Sequence, residues 1–148
     1  MKKLDLDALP WIKGSSYPAP FVAQVIERTW RQLGEAAGLT QFGVNLVRMP
    51  PGAWSSQRHW HTEEDEFIYV VDGELVLVTD AGEEILRAGD CTGFKAAQRD
   101  GHHLQNRSAL PAHFLAIGSR IASDVCHYPD IDLIAGPQGA RHKDGTPY

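Results

Sequence analysis

Between about Gln41 and Arg120 the chain consists of short apolar runs, some with alternating polar residues, that end at turn residues. Such runs at regular spacing are typical of β-strands. The Asp72-Gly73 pair separates two apolar runs and predicts a tight hairpin. About eight strands are predicted, over the runs QFGVNLVRM, SQRHWH, EFIYVV, ELVLVT, EEILRA, CTGF, HHLQN and HFLAIGSR. Because no helical pattern separates them, we expect an all-β antiparallel barrel or jelly roll.

The two ends of the chain lack this pattern. Residues 1–20 contain three prolines and a Gly-Ser-Ser run, which predict an irregular arm. From Phe21 to Leu33 the apolar residues fall near helical spacing, and Gly34 follows where a helix would stop, so one short helix is predicted there. We expect a single domain, residues 1–148, made of an N-terminal arm (1–40), a β-barrel (41–121) and an irregular C-terminal tail (122–148).

Composition narrows the possible partners. The 148 residues carry a net charge of −5, and no more than two basic residues are adjacent, which argues against a nucleic-acid surface. No apolar stretch approaches the length of a membrane span, and the start MKKLDLDALP lacks the apolar core of a signal peptide. Two cysteines are too few for a disulfide framework and fit a reducing compartment. We therefore expect a cytoplasmic protein that binds neither nucleic acid nor membrane.

The candidate chemistry lies in the segment RHWHTEEDEFIYVVDG, which begins at Arg58. On a strand, side chains two residues apart share a face, so His59 and His61 point the same way. They stand about 6.6 Å apart along the strand, since each residue rises about 3.3 Å, and both rings can then reach one metal ion. The same spacing on a helix would send the two rings to opposite sides.

Further ligands must come from neighbouring strands. Glu66 opens the next predicted strand, and the run HHLQN supplies His102 or, on the opposite face, His103. Three histidines and one glutamate could enclose a divalent cation and leave coordination positions free for an oxygen-bearing substrate. Ligand type alone does not choose between zinc, iron, manganese and nickel.

The spacing of these residues resembles that of the cupins, small β-barrel proteins whose first motif is G-x5-H-x-H-x(3,4)-E-x6-G. In this chain the first motif is met by Gly52, His59, His61, Glu66 and Gly73. The second family motif, G-x5-P-x-G-x2-H-x3-N, is met by Gly89, His102 and Asn106. The chain departs from the second motif at Lys95 and Ala97 and has a longer segment before the histidines, so His103 is the alternative ligand, although the spacing to Asn106 favours His102.

The resemblance implies a double-stranded β-helix, or jelly-roll barrel, with one divalent metal ion held by His59, His61, Glu66 and His102. It also implies a metal-binding protein that acts on a small oxygenated molecule, as a dioxygenase, isomerase or lyase. The alternative is a non-catalytic module that binds or senses a sugar or organic acid. Apolar side chains in the arm and the tail favour a homodimer, because solvated chain ends would carry fewer of them.

Overall fold

The computed structural model describes residues 3–148. Within that range it contains thirteen strands, a 3-10 helix at Ala19–Phe21 and one short α-helix, α1, at Leu33–Ala36. The strands are β1 (Ile12–Lys13), β2 (Thr29–Gln32), β3 (Phe42–Met49), β4 (Trp60–His61), β5 (Glu66–Asp72), β6 (Glu74–Thr79), β7 (Gly82–Arg87), β8 (Cys91–Phe94), β9 (His103–Gln105), β10 (Ala112–Ser119), β11 (Cys126–Tyr128), β12 (Leu133–Gly136) and β13 (Gly139–Arg141).

The largest sheet has six antiparallel strands in the order β1-β2-β3-β10-β5-β8. Its register pairs Phe114 of β10 with Val47 of β3 on one side and Val70 of β5 on the other. All three side chains are buried, whereas Phe67 and Tyr69 on the alternate face of β5 are exposed. The alternation read from the sequence therefore separates an inner face from an outer face.

A second sheet, in the order β7-β6-β9, closes over the inner face of the first. The β5–β6 hairpin joins the two sheets at Gly73, whose φ is +79°. A Cβ at this position would lie 2.7 Å from the Cβ of Ala112, so both the backbone conformation and the lack of space require glycine.

The core lies between these two sheets. Its buried members come from both, and they include Met49, Val70 and Phe114 from the larger sheet and Leu75 and Leu104 from the smaller one. Two antiparallel sheets that share one apolar core confirm the all-β prediction. Strands are found in each of the eight predicted runs, although only the last two residues of SQRHWH are a strand.

The predicted helix at Phe21–Leu33 is wrong. The segment ends in strand β2, which pairs with β3, and α1 begins at Leu33, where the helix was expected to end. Trp30 packs against the core from β2, opposite Val47. The β-branched and aromatic residues of this segment favour a strand, and the segment pairs with the edge of the larger sheet. Strand pairing therefore overrides the apparent helical spacing.

The C-terminal tail is more regular than predicted. Strands β11, β12 and β13 form an antiparallel sheet that continues onto β4. A second apolar cluster, built on Cys126, Tyr128 and Leu133, packs against Tyr17 and Phe21 of the arm. The tail and the arm therefore cover each other beside the barrel.

The two ends of the chain also bear on assembly. The homodimer prediction relied on apolar side chains in the arm and tail, and several of these pack within the chain itself. Association of two copies stays a prediction, as does the division into arm, barrel and tail. Within residues 3–148, no helix is long and apolar enough to cross a membrane.

Candidate metal centre

Three short segments bring the predicted ligands together. His59 and His102 form an isolated antiparallel bridge, with backbone N–H to O distances of 3.1 and 2.9 Å. His61 ends β4 and Glu66 begins β5, after the turn through the acidic loop. The rings of His59 and His61 lie 5.0 Å apart between centroids, which agrees with the shared face expected for a His-x-His pair on extended chain.

The four side chains meet at one atom, Oε2 of Glu66. This oxygen lies 2.8 Å from Nε2 of His102, 3.5 Å from Nε2 of His59 and 3.7 Å from Nε2 of His61. The three imidazoles are largely buried, whereas Glu66 keeps 26% of its side chain exposed. Three imidazole Nε2 atoms thus lie within 3.7 Å of one carboxylate oxygen.

The opposite ring nitrogens are fixed by acceptors. Nδ1 of His61 donates to Oδ2 of Asp124 at 2.6 Å, and Nδ1 of His59 donates to the carbonyl of Gln57 at 2.9 Å. When Nδ1 carries the proton of a neutral imidazole, Nε2 presents its lone pair. In both histidines Nε2 is the ring nitrogen that faces Glu66. Carboxylate and carbonyl partners of this kind orient the histidine ligands of metal sites.

Protonation at the site follows from burial and close charge. Burial would raise the pKa of Glu66, but hydrogen bonds from His102 and His59 and their charges hold it well below its ordinary value. Burial lowers the pKa of His59, but the hydrogen bond and charge of Glu66 outweigh it and leave the pKa raised. Burial lowers the pKa of His102 despite its bond to Glu66. Glu66 is therefore a carboxylate at neutral pH.

The donor set fits a divalent cation. Ligand atoms of His59, Glu66 and His102 all lie within 4.8 Å of one another, and His61 approaches the same carboxylate oxygen. Three imidazole nitrogens and one carboxylate suit zinc, iron, manganese and nickel alike, so the donors do not select one metal. That these four residues are ligands stays a prediction, supported by the mutual distances of His59, Glu66 and His102 and by the approach of His61 to Glu66.

His103 and Asn106 have other partners. Nδ1 of His103 donates to the carbonyl of Ser56 at 3.0 Å, and its Nε2 accepts from the Gln105 amide at 2.9 Å. Both ring nitrogens of His103 are thus engaged away from Glu66, and His102 takes the place in the cluster. Asn106 is buried and donates to the carbonyls of Met49 and Leu110, which gives it a structural role.

Sequence reasoning missed the residues that the tail supplies. Asp124 orients His61, and the ring of Tyr128 stacks on His59 with centroids 5.8 Å apart. Sγ of Cys126 also lies within 4.8 Å of ring nitrogens of His59 and His61. Burial raises the pKa of the Cys126 thiol to about 12, so the sulfur is protonated at neutral pH. The period-two pattern of Cys126 and Tyr128 was the local signal for this strand.

A cavity of about 600 Å³ opens onto the cluster. Its walls include the apolar side chains of Val47, Ile68 and Phe114, and His59, Glu66 and His102 contribute polar atoms. This volume falls within the range of small-molecule sites, which runs from about 300 to 1,000 Å³. The arrangement can hold a cation, present it to a ligand several times the size of water, and surround that ligand with apolar surface.

Comparison with known proteins agrees with this geometry. A family model described as "Cupin domain" matches residues 45–118. A crystal structure from Silicibacter pomeroyi, described as a sugar phosphate isomerase from a cupin superfamily, is 45% identical, with a TM-score of 0.94 over 99% of this chain and 96% of that one. The double-stranded β-helix expected from the sequence is thereby confirmed. No curated protein sequence matches the chain significantly.

Two further structures are similar over most of the barrel. A putative sugar phosphate isomerase from Acidithiobacillus ferrooxidans is 29% identical, with a TM-score of 0.71 over 77% of this chain and 74% of that one. A predicted oxalate decarboxylase from Thermotoga maritima is 20% identical, with a TM-score of 0.66 over 81% of this chain and all of that one. The latter similarity shows a common fold only.

Proposed function

The chain belongs to the cupin family, and from this premise we propose that it is a metal-dependent isomerase of small hydroxylated carbonyl compounds of the sugar phosphate class. The observation that carries the proposal is the convergence of three imidazole Nε2 atoms on one Glu66 oxygen, within 3.7 Å, at the wall of a ligand-sized cavity. A structural cluster of histidines would not need an open cavity beside it.

In this proposal His59, His61, Glu66 and His102 hold the cation. When bound, the ion supplies Lewis-acid polarisation of a substrate carbonyl oxygen. The protein's own contribution is to fix the donors before the ion arrives, since Asp124 and Gln57 already orient two of the imidazoles.

Glu66 is the group best placed to move a proton. It is the most exposed of the four side chains and is ionised, so while Oε2 holds the cation, Oε1 can accept a proton from a carbon next to the carbonyl and return it to the neighbouring carbon. Isomerisation moves one proton between carbons and one between oxygens, and it needs no oxidant or reductant. Ile68 and Phe114 form apolar walls beside this carboxylate.

The relative from Silicibacter pomeroyi favours an isomerase over the other reactions expected of this site. It covers nearly the whole chain at 45% identity, and its description names a sugar phosphate isomerase. The description of an oxalate decarboxylase comes with only 20% identity and adds no argument about the reaction. The proposal therefore takes isomerisation as the reaction and leaves dioxygenase chemistry without a supporting observation.

The test combines metal content with turnover. Purified wild-type protein should contain about one divalent ion per chain by elemental analysis, and His59→Ala should lose most of it. Metal-loaded wild-type protein should exchange the carbon-bound hydrogen of aldose phosphates with deuterated water, as followed by proton NMR. The His59→Ala variant should not catalyse this exchange above the rate of free metal.

A matched control separates ligation from general effects of removing a histidine. His142 also bonds through Nδ1 to a carboxylate, that of Asp132 at 2.8 Å, but it follows β13 in the tail and does not line the cavity. His142→Ala should keep both metal and exchange activity. Circular dichroism should show the same β-structure in both variants. If His59→Ala retains the metal, the site is wrong; if metal is present but no sugar phosphate exchanges hydrogen, the isomerase is wrong.

A further inference from the structure

A partly buried cation lines the same cavity from the N-terminal arm. Arg28 precedes β2, and the pairing of Lys13 with Thr29 places Gly14, Ser15 and Ser16 next to it as β1 ends. Arg28 and these three small residues line the cavity together with the metal cluster. The cavity thus has a second polar region, supplied by an arm that the cupin motifs do not include.

Arg28 lacks the partner that a buried charge needs. Its Nε is buried and has no hydrogen-bond partner among residues 3–148. The hydroxyls of Tyr17 and Tyr128, which burial keeps protonated by raising their pKa, supply no negative charge, and no ion pair among residues 3–148 includes Arg28. An arginine keeps its charge in proteins, so burial without a counter-ion is costly. By contrast, Arg58 forms close ion pairs with two aspartates.

Other arginines show why the cavity matters. Arg31 and Arg141 also have a buried Nε without a partner. Arg31 lies over the ring of Trp11 at 4.4 Å, as Arg28 lies over the ring of Trp30 at 5.4 Å, but neither Arg31 nor Arg141 lines the cavity. Only Arg28, of these three, could be neutralised by a molecule bound beside Glu66. An anion in the cavity would supply the missing charge and hydrogen bonds.

An unpaired acceptor accompanies the unpaired cation. Asn45 lies on β3 two residues from Val47, so both side chains are on the inner face, and Oδ1 of Asn45 is buried without a partner. A hydroxyl group of a ligand would donate to this oxygen. Arg28 requires an anion and Asn45 requires a donor, and one hydroxylated anion would satisfy both.

We propose that Arg28, with Ser15 and Ser16, forms a phosphate subsite, and that Asn45 accepts a hydrogen bond from a sugar hydroxyl between this subsite and the metal cluster. The subsite rests on the proposed function and assigns the substrate's phosphate to the arm. The planar guanidinium offers paired N–H donors to phosphate oxygens, and the serine hydroxyls add further donors. A cavity of about 600 Å³ can hold a sugar phosphate.

Binding of two probes by isothermal titration calorimetry tests the subsite. Ribose 5-phosphate and unphosphorylated ribose are titrated into zinc-loaded wild-type protein, Arg28→Gln and Arg31→Gln. Ribose 5-phosphate should bind the wild type more tightly than ribose does. Loss of the guanidinium in Arg28→Gln should weaken ribose 5-phosphate binding at least about tenfold, the effect of one charge-assisted hydrogen bond. Arg31→Gln should bind as the wild type does.

Further variants and probes distinguish failure of the phosphate subsite from failure of the metal site. Arg28→Lys keeps the charge without the planar fork, so it should bind ribose 5-phosphate more tightly than Arg28→Gln does if the two variants fold equally well. Equal affinity of wild type and Arg28→Gln for ribose 5-phosphate would overturn the subsite. It would also be overturned if Arg28→Gln weakened binding of ribonate, a carboxylate probe, but did not weaken binding of ribose 5-phosphate. Zinc content is measured in each sample, because loss of zinc from wild type would refute the metal site while leaving Arg28-dependent phosphate binding intact.

Discussion

Substitution of Asp124 by asparagine tests how the tail controls the metal centre. Oδ2 of Asp124 accepts the Nδ1 proton of His61 at 2.6 Å. Its Oδ1 accepts from the backbone N–H groups of Glu63 and Glu64 and from the Thr62 hydroxyl. Asparagine can keep one oxygen on these loop donors but then presents an N–H to the N–H of His61. The substitution therefore disturbs the imidazole and spares the loop.

The magnitude follows from the loss of an oriented ligand. Removal of a carboxylate that orients a histidine ligand weakens metal affinity by about 10- to 100-fold, or about 1.4–2.7 kcal/mol. The measurement is a competition titration of zinc against a chromophoric chelator, for wild type and Asp124→Asn at neutral pH. Thermal unfolding of the metal-free proteins should differ little, because three of the four hydrogen bonds of Asp124 have a remaining acceptor.

A second aspartate provides the control. Oδ2 of Asp132 bonds to Nδ1 of His142 at 2.8 Å, and its Oδ1 accepts the backbone N–H of Lys143, so the local chemistry matches that of Asp124. Asp132→Asn should bind zinc with wild-type affinity. If Asp124→Asn binds zinc within about twofold of wild type, below the range for such partners, then His61 is not an oriented ligand.

Three further predictions concern stability. Gly73→Ala should cost about 1–3 kcal/mol more in urea unfolding than Gly145→Ala, because both positions have a positive φ but only Gly73 faces a close neighbour, Ala112. Chelator treatment should lower the melting temperature of metal-loaded protein by roughly 5–10 °C, from about 2.7 kcal/mol of binding linkage at 100 times Kd. A hydrogen bond from Arg58 lowers the pKa of Asp130 below 3.8. The stabilisation from this ion pair is therefore complete above pH 3.8 and is lost as the pH falls through the lowered pKa. The difference in unfolding free energy between wild type and Asp130→Asn should shrink over the same acidic range.

The barrel could be predicted from the sequence because its signals are local. Apolar runs of four to five residues mark strands such as β5 and β6, and Asp72-Gly73 marks the hairpin between them. The spacing of His59 and His61 has a chemical meaning only on extended chain, so the strand prediction and the ligand prediction support each other. The structure gives both histidines that extended setting, beside Glu66.

The rest of the site could not be predicted because its signals are distant in the chain. Asp124 meets His61 across 63 positions, in a tail whose turn residues hide three short strands. Arg28 sits in a segment with helical spacing, and only pairing of β2 with β3 turns its side chain inwards beside Trp30. A short-range sequence pattern does not predict that Arg28 will line a cavity whose other walls come from distant segments.

Pairing of β11 with β4 has a consequence for the order of events during synthesis. His61 is made 63 residues before the aspartate that orients it. On the ribosome, the barrel strands up to β10 can pair while this histidine still lacks its acceptor. At the proposed metal site, binding of the ion at full affinity would therefore require the last segments to have emerged and docked. A chain stalled or cleaved after Ser119 should keep its central sheets and bind the ion more weakly than the whole chain does.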